Sequence, residues 1–176
     1  MRRKQTWAAA MLVACIFCAR AGALEDGIAA VERRDYAQAV RLLEPLARKG
    51  DAAAQLQMGL LHYHGRGVPE SDAKAFMWFE RAAKKGSAEA QYQLGHMYAY
   101  GLVRPARNLD PGRLAAQWYF EAARRGHAEA QYSLGILFLT GTGVIQDRQE
   151  ARRWIESAAK LGHADASAYL KGAPAQ

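Results

Sequence analysis

Ser133, His127 and Asp147 are the residue types from which a nucleophile, its base and an orienting carboxylate are assembled, and nucleophilic catalysis is what such a trio would perform. Each falls at an ordinary position of an internal repeat, where packing or capping already accounts for it. No catalytic constellation is left over, and the chain reads as a non-enzyme. Metal chemistry fares no better. His62 and His64 are two residues apart, which on a helix sets them about 200° apart and prevents shared chelation. His127 and His163 each follow a closing glycine, the place of a surface helix cap. No ligand spacing emerges, and neither a metal nor a cofactor is expected. Trp78, Trp118 and Trp154 would suit a sugar or peptide groove, but their periodic place beside small alanines reads as core.

The elements that must hold these side chains are announced by repetition. Residues 88 to 95 read AEAQYQLG, residues 128 to 135 read AEAQYSLG and residues 52 to 59 read AAAQLQMG. Each copy leads through a glycine-punctuated turn to a second apolar segment with one tryptophan, closed by Gly86, Gly126 or Gly162. The unit is 36 residues long over 51–86 and 127–162, and 40 over 87–126. A period of this length predicts a solenoid of helix pairs. In the first copy Ala54, Met58 and Leu61 share a helical face, then Ser71 or Asp72 caps a helix whose stripe is Ala75, Trp78, Phe79, Ala82 and Ala83. Gly59, Gly95 and Gly135 recur in the first helices, where a glycine costs about 1 kcal/mol against alanine. Their expected use is close approach of a neighbouring helix backbone.

Residues 24–50 read as a degenerate first repeat. Ile28 and Val31 are its expected inward positions, Asp35 an N-cap, and Leu42 the occupant of the tryptophan position. Pro45 should bend the second helix or mark a register change near residue 41. Residues 163–171 form a lone capping helix, and residues 172–176 should fray.

This pattern resembles the Sel-one-like repeat (SLR) family, kin of the tetratricopeptide repeat. The third repeat carries it as Ala128, Ala130, Leu134, Gly135, Phe138, Gly141, Gly143, Val144, Asp147, Ala151, Trp154, Ala158, Ala159 and Gly162. The resemblance covers residues 35 to 171 and implies an all-α fold: an α-solenoid of antiparallel helix pairs in a right-handed superhelix, with first helices on the concave side. Two departures stand out. His62 replaces the family's aromatic, and the second repeat has Leu102, Val103 and Arg104 after Gly101, with four extra residues before Asp110. A cysteine-rich subgroup of the family is linked to β-lactam binding or hydrolysis, but this chain lacks its cysteines, so that activity is not carried over.

On such a solenoid Gln57, His64, Gln93, His96, Tyr100, Ser133 and Thr140 are expected on the concave face without a packing duty, as candidate contacts for a protein or peptide partner. The enlarged turn adds Arg104 and Arg107, with Arg113 nearby, either as contacts for an acidic partner or as tolerated length variation.

The N-terminus sets the expected address. Arg2, Arg3 and Lys4 precede an apolar run from Trp7 to Cys18 and then small residues, the three parts of a secretory signal over residues 1–23. Cleavage after Ala23 or after Ala21 satisfies the small-x-small rule, and export, to a periplasm, is expected. Leu12 to Cys15 offers an alternative: lipidation at Cys15 and a membrane anchor. Removing Arg2, Arg3, Lys4 and Arg20 leaves 20 basic residues against 17 acidic, a net charge of +3 in place of +7. With no sustained basic stripe, nucleic acid is not an expected partner. Both cysteines, Cys15 and Cys18, lie in this leader, so the remainder folds by packing alone. The sequence thus reads as a non-catalytic interaction scaffold of a bacterial envelope, the alternative being an envelope hydrolase or cell-wall binding module.

Overall fold

The computed structural model describes residues 22–105 and 109–172. Cys15 and most of the expected leader, Arg107, and residues 173–176 lie outside the described residues. Among the described residues there are nine helices and no strands. Helix α1 covers residues 22–32, followed by α2 (Tyr36–Arg48), α3 (Ala52–Tyr63), α4 (Asp72–Ala83), α5 (Ala88–Ala99), α6 (Pro111–Ala123), α7 (Ala128–Thr140), α8 (Arg148–Lys160) and α9 (Ala164–Gly172). They form an α-solenoid of helix pairs.

The helix boundaries follow from side chains visible in the sequence. Asp35, Asp51, Ser71, Ser87 and Asp110 accept backbone N–H groups at the starts of α2 to α6. His127 and His163 do the same through Nδ1 for α7 and α9, at 3.2 Å in each case. Between Ser71 and Asp72, Ser71 is therefore the cap. Each repeat closes on a glycine with positive φ, such as Gly126 at 82°. That conformation lets Gly126 N–H reach the Ala123 carbonyl and His127 N–H the Ala122 carbonyl, so two orphan acceptors of α6 are satisfied. Gly172, expected in a frayed tail, is the last residue of α9.

The chain comprises two compact units, Met1–Ala75 and Phe76–Gln176, with the boundary inside α4. In the first, Ala30, Leu43, Leu46, Met58 and Leu61 are buried core residues. Gly27 and Ala30, and not Ile28 and Val31, are the fully buried positions of α1; Ile28 and Val31 are half-buried. The reason is register, because Gly27 lies under Leu43: a Cβ there would stand 2.6 Å from Leu43 Cδ2. Helix α2 runs through Pro45, whose ring is on the exposed side, as one element from Tyr36 to Arg48.

In the second unit α5 packs on α6, α6 on α7, α7 on α8 and α8 on α9. One core cluster joins Ala115, Ala116, Tyr119, Ala122 and Ala123 to Ala130, Leu134 and Leu137; a second joins Ile155, Ala158 and Ala166. Full burial of a side chain such as Ile155 is worth about 1.5–3 kcal/mol. Gly95 and Gly135 make room chiefly for side chains, and the backbone approach expected of the helical glycines is met at Gly135 alone of these two, where a Cβ would also lie 3.1 Å from the Ala151 carbonyl oxygen. A Cβ on Gly95 would lie 2.6 Å from Tyr119 Cδ1, and one on Gly135 2.6 Å from Ile155 Cγ1. In both pairs the inserted residue is the one after the tryptophan, Tyr119 after Trp118 and Ile155 after Trp154. Phe79, Tyr119 and Ile155 are 0–3% exposed, whereas Trp118 and Trp154 are only half-buried, and Trp78 alone of the three is buried. One residue is a rotation of about 100° on a helix, which turns the indole toward the edge of the packed face. Trp154 there meets the Phe120 ring edge-on at 5.9 Å.

A glutamine ties each closing turn to the next helix. Gln55, Gln91 and Gln131, all buried, donate through Nε2 to the carbonyls of Ala47, Ala83 and Ala123 at 3.0, 3.2 and 3.0 Å. In α9 the corresponding residue is Ser167, which bonds back to the His163 carbonyl of its own cap.

Candidate functional site

Helices α5, α6 and α7 enclose a groove of about 470 Å³, lined by Ala99, Tyr100, Tyr119, Tyr132, Ser133, Ile136 and Leu137. Its outer wall is Tyr100, the residue capping α5, 70% exposed and set over the His96 ring at 4.3 Å. Burial holds the His96 imidazole below its ordinary pKa, so it is a neutral support. The floor is Tyr119, 3% exposed and hydrogen-bonded with Ser133; burial and the neighbouring Tyr92 and Tyr100 push its phenol well above the usual range. The opposite wall is Tyr132, stacked on the His163 ring at 4.5 Å.

Below the floor, Tyr92 stacks on His127 at 4.7 Å and packs obliquely against Tyr119 at 5.7 Å. His127 accepts at Nδ1 from Ala130 N–H, which places its proton on Nε2, and Nε2 donates to Glu89 Oε2 at 2.9 Å. Gln93 Nε2 donates to the other carboxylate oxygen at 2.7 Å. The His127 hydrogen bond, aided by Gln93 and opposed by desolvation, holds the Glu89 carboxyl below its ordinary pKa. These partners fix the tyrosines before anything binds.

The structure disposes the sequence candidates unevenly. Gln57 (half-buried) and His64 (exposed, edge-on to Tyr63 at 5.0 Å) belong to the first unit. In the second, Tyr100 and Ser133 line the groove and His96 supports it. Gln93 and Ser133 are not spare residues: one serves Glu89 and the other Tyr119. Thr140 donates to the Ile136 and Leu137 carbonyls at the end of α7. Arg104 is exposed in the enlarged turn, and Arg107 lies outside the described residues. His62 is buried and, since a carbonyl only accepts, donates through Nδ1 to Pro69 at 3.3 Å, a loop-fixing role. Tyr119, Tyr132 and Ile136 escaped the sequence reading. The AEAQY pattern did mark Tyr132, but its neighbour across the groove depends on how α6 packs.

A larger recess of about 800 Å³ borders Asp110, Arg113, Phe138 and Asp147. Its carboxylates already cap α6 and α8, accepting from Gly112 N–H and from Gln149 and Glu150 N–H, so they are committed to the fold. Among the described residues no group of three or more His, Cys, Asp or Glu is placed to hold a metal ion, and no helix is long and apolar enough to cross a membrane.

The repeating caps, glycines and glutamines lead to a family assignment. The family model of the Sel1 repeat matches four consecutive segments, residues 13–51, 52–87, 88–127 and 128–163. The chain belongs to the Sel1 repeat family. The first matched segment begins inside the expected leader. Sel1 repeats are typically protein–protein interaction scaffolds. Among solved structures the chain is similar to a Sel1 repeat protein from Oxalobacter formigenes, with 32% identity and a TM-score of 0.74 over 82% of this chain and 56% of that one. It is also similar to a protective antigen of uropathogenic Escherichia coli with an SLR fold, with 30% identity and a TM-score of 0.68 over 74% of this chain and 27% of that one. The chain thus spans about half or less of the length of these two relatives. Cysteine rich protein B of Helicobacter pylori, at 23% identity and a TM-score of 0.53 over 82% of this chain and 95% of that one, shares the fold. No curated protein matches the chain.

Proposed function

We propose that this chain is a non-catalytic interaction module of the cell envelope that holds a segment of a partner protein in the groove walled by Tyr100 and Tyr132. The observation that carries this reading is the pairing of an exposed aromatic, Tyr100, with a supporting shell of His96, Tyr119 and Ser133 that leaves it little to reorganise on binding. Rigid aromatic side chains with a polar tip are the residues that repay burial at an interface. The basic and apolar leader supports export. Cleavage after Ala21 would keep every described residue of α1, whereas cleavage after Ala23 would remove Gly22 and Ala23 from it. Intact mass of the processed protein distinguishes these ends from a lipidated Cys15.

The test is crosslinking in living cells with a photoreactive residue at position 100, and separately at Lys84, an exposed residue at the end of α4 that pairs with Glu80. A discrete adduct from position 100 and none from position 84 is the expected result. Equal labelling from both, or none from position 100, would remove the groove as the binding surface.

A further inference from the structure

Helix α9 is held less firmly than the helices before it. Five residues of α5 and five of α7 are buried, but of the nine residues of α9 only Ala166 is, with Leu170 partly so. A helix this short is marginal unless its surroundings hold it, since isolated helices under about 12 residues rarely form in water. The glutamine that ties α3, α5 and α7 to the preceding closing turn is replaced by Ser167, and Lys171 stands where α5 and α7 have Gly95 and Gly135. What fastens the start of α9 is His163. Its Nδ1 accepts from Ala166 N–H at 3.2 Å, and its half-buried ring stacks on Tyr132 of α7 at 4.5 Å.

We propose that α9 is an acid-sensitive end cap latched by His163: protonation of that imidazole loosens α9 from α8 and uncovers Ala158 and part of Ile155, which form one buried cluster with Ala166. The device stands whether or not the groove holds a partner. Nδ1 takes the Ala166 N–H only while its lone pair is free, and an imidazolium has two donors and no acceptor, whichever way the ring is turned. Protonation leaves N–H facing N–H in the first turn, and it sets a positive charge at the positive end of the helix dipole. Histidine is the side chain that ordinarily changes charge between pH 5 and 8. The latch is closed with the ring neutral and opens as pH falls.

Little around His163 offsets that loss. Its charged neighbours in the chain, Lys160 in the last turn of α8 and Asp165 in the first turn of α9, have opposite signs, and neither is within ion-pairing reach of the ring. From α7 the facing titratable group is Tyr132, whose ring attracts a cation and recovers part of the loss. Losing a cap shifts a helix equilibrium by about fivefold, and the charge on the dipole adds about twofold to fivefold, against about twofold to fivefold from the ring. The net is about fivefold toward the open form. His127 caps α7 in the same way, but Glu89 Oε2 at 2.9 Å from Nε2 and Glu129 Oε2 at 3.6 Å from Nδ1 flank its ring, so a proton there meets carboxylates. Gln131 and the buried residues of α7 hold that helix besides.

The test is hydrogen–deuterium exchange of the purified full chain at pH 7.5 and pH 5.0, read by mass spectrometry on peptides from α9 and corrected for the intrinsic pH dependence of exchange. Protection over residues 164–172 should fall about fivefold at the lower pH. In His163→Asn, whose side chain also caps a helix but does not titrate, protection should be the same at both pH values. Nuclear magnetic resonance of the unaltered chain supplies a second readout: the His163 ring signal, assigned by its absence from the variant, should titrate with the same midpoint as the loss of α9 protection. Equal protection of α9 at the two pH values in the unaltered chain, a fall of the same size in His163→Asn, or a ring midpoint apart from that of the opening would overturn the proposal.

Discussion

Gly95→Ala is the substitution that best separates helix propensity from packing. On propensity alone, alanine in a helix interior stabilises by about 1 kcal/mol over glycine. At this site the new Cβ would lie 2.6, 2.7 and 3.1 Å from Cδ1, Cε1 and Cγ of Tyr119, so the ring must withdraw by about 0.8 Å to reach ordinary contact at 3.4 Å. Tyr119 is 3% exposed, backed by Tyr92 and tied to Ser133, and both partners oppose that movement. Overpacking of this kind costs about 1–3 kcal/mol, and a flat, held ring belongs in the upper half of that range. The net expectation is a loss of about 1–2 kcal/mol, the difference between the two effects. Urea unfolding reads it as a lower midpoint at unchanged slope. In a Tyr119→Ala background, itself costly, the same Gly95→Ala change should stabilise, because the ring is gone. A higher midpoint for Gly95→Ala in the otherwise unaltered chain would refute the close-approach account of the repeated glycine.

Gln131→Ala should cost about 1–3 kcal/mol, since the Nε2 donor to the Ala123 carbonyl is lost inside the core; thermal unfolding of this variant beside the exposed Gln149→Ala gives the comparison. Stability should also fall on acidification. Glu89 has a folded pKa below its ordinary 4.5, so its contribution is complete above that value and is lost as pH falls beneath it. His96, depressed from 6.5 by burial, adds a loss of the same sign that begins as pH drops through 6.5. Unfolding midpoints between pH 7 and pH 3 should show a shallower decline below pH 4.5 in Glu89→Gln, and an unchanged decline there would mean that Glu89 is not linked to the fold.

Much of the scaffold is legible in the chain because it depends on neighbours within a few residues. Asp35, Asp51, Ser71, Ser87 and the two histidines sit three positions before the N–H groups they accept, and the closing glycines take a conformation that few other residues tolerate. Repetition supplied the rest: three copies of one motif imply that what packs once packs again. The sequence marked Trp78, Trp118 and Trp154 as the large recurrent residues, yet the fully buried position is the residue after each. A periodic pattern defines a face of roughly 100° and does not say which member of that face meets the partner helix.

That choice belongs to tertiary structure, as does the groove. Tyr100 and Ser133 are 33 positions apart in the sequence, and Tyr119 enters their site only because Gly95 lets its ring down onto α5. Gln91 and Gln131 look like surface polar residues in the sequence, and only the approach of the preceding helix end turns them into buried donors. Local chemistry of the chain determined where helices start and stop. Long-range packing, through contacts between side chains far apart in sequence, decided which of their residues face one another and so what this surface can hold.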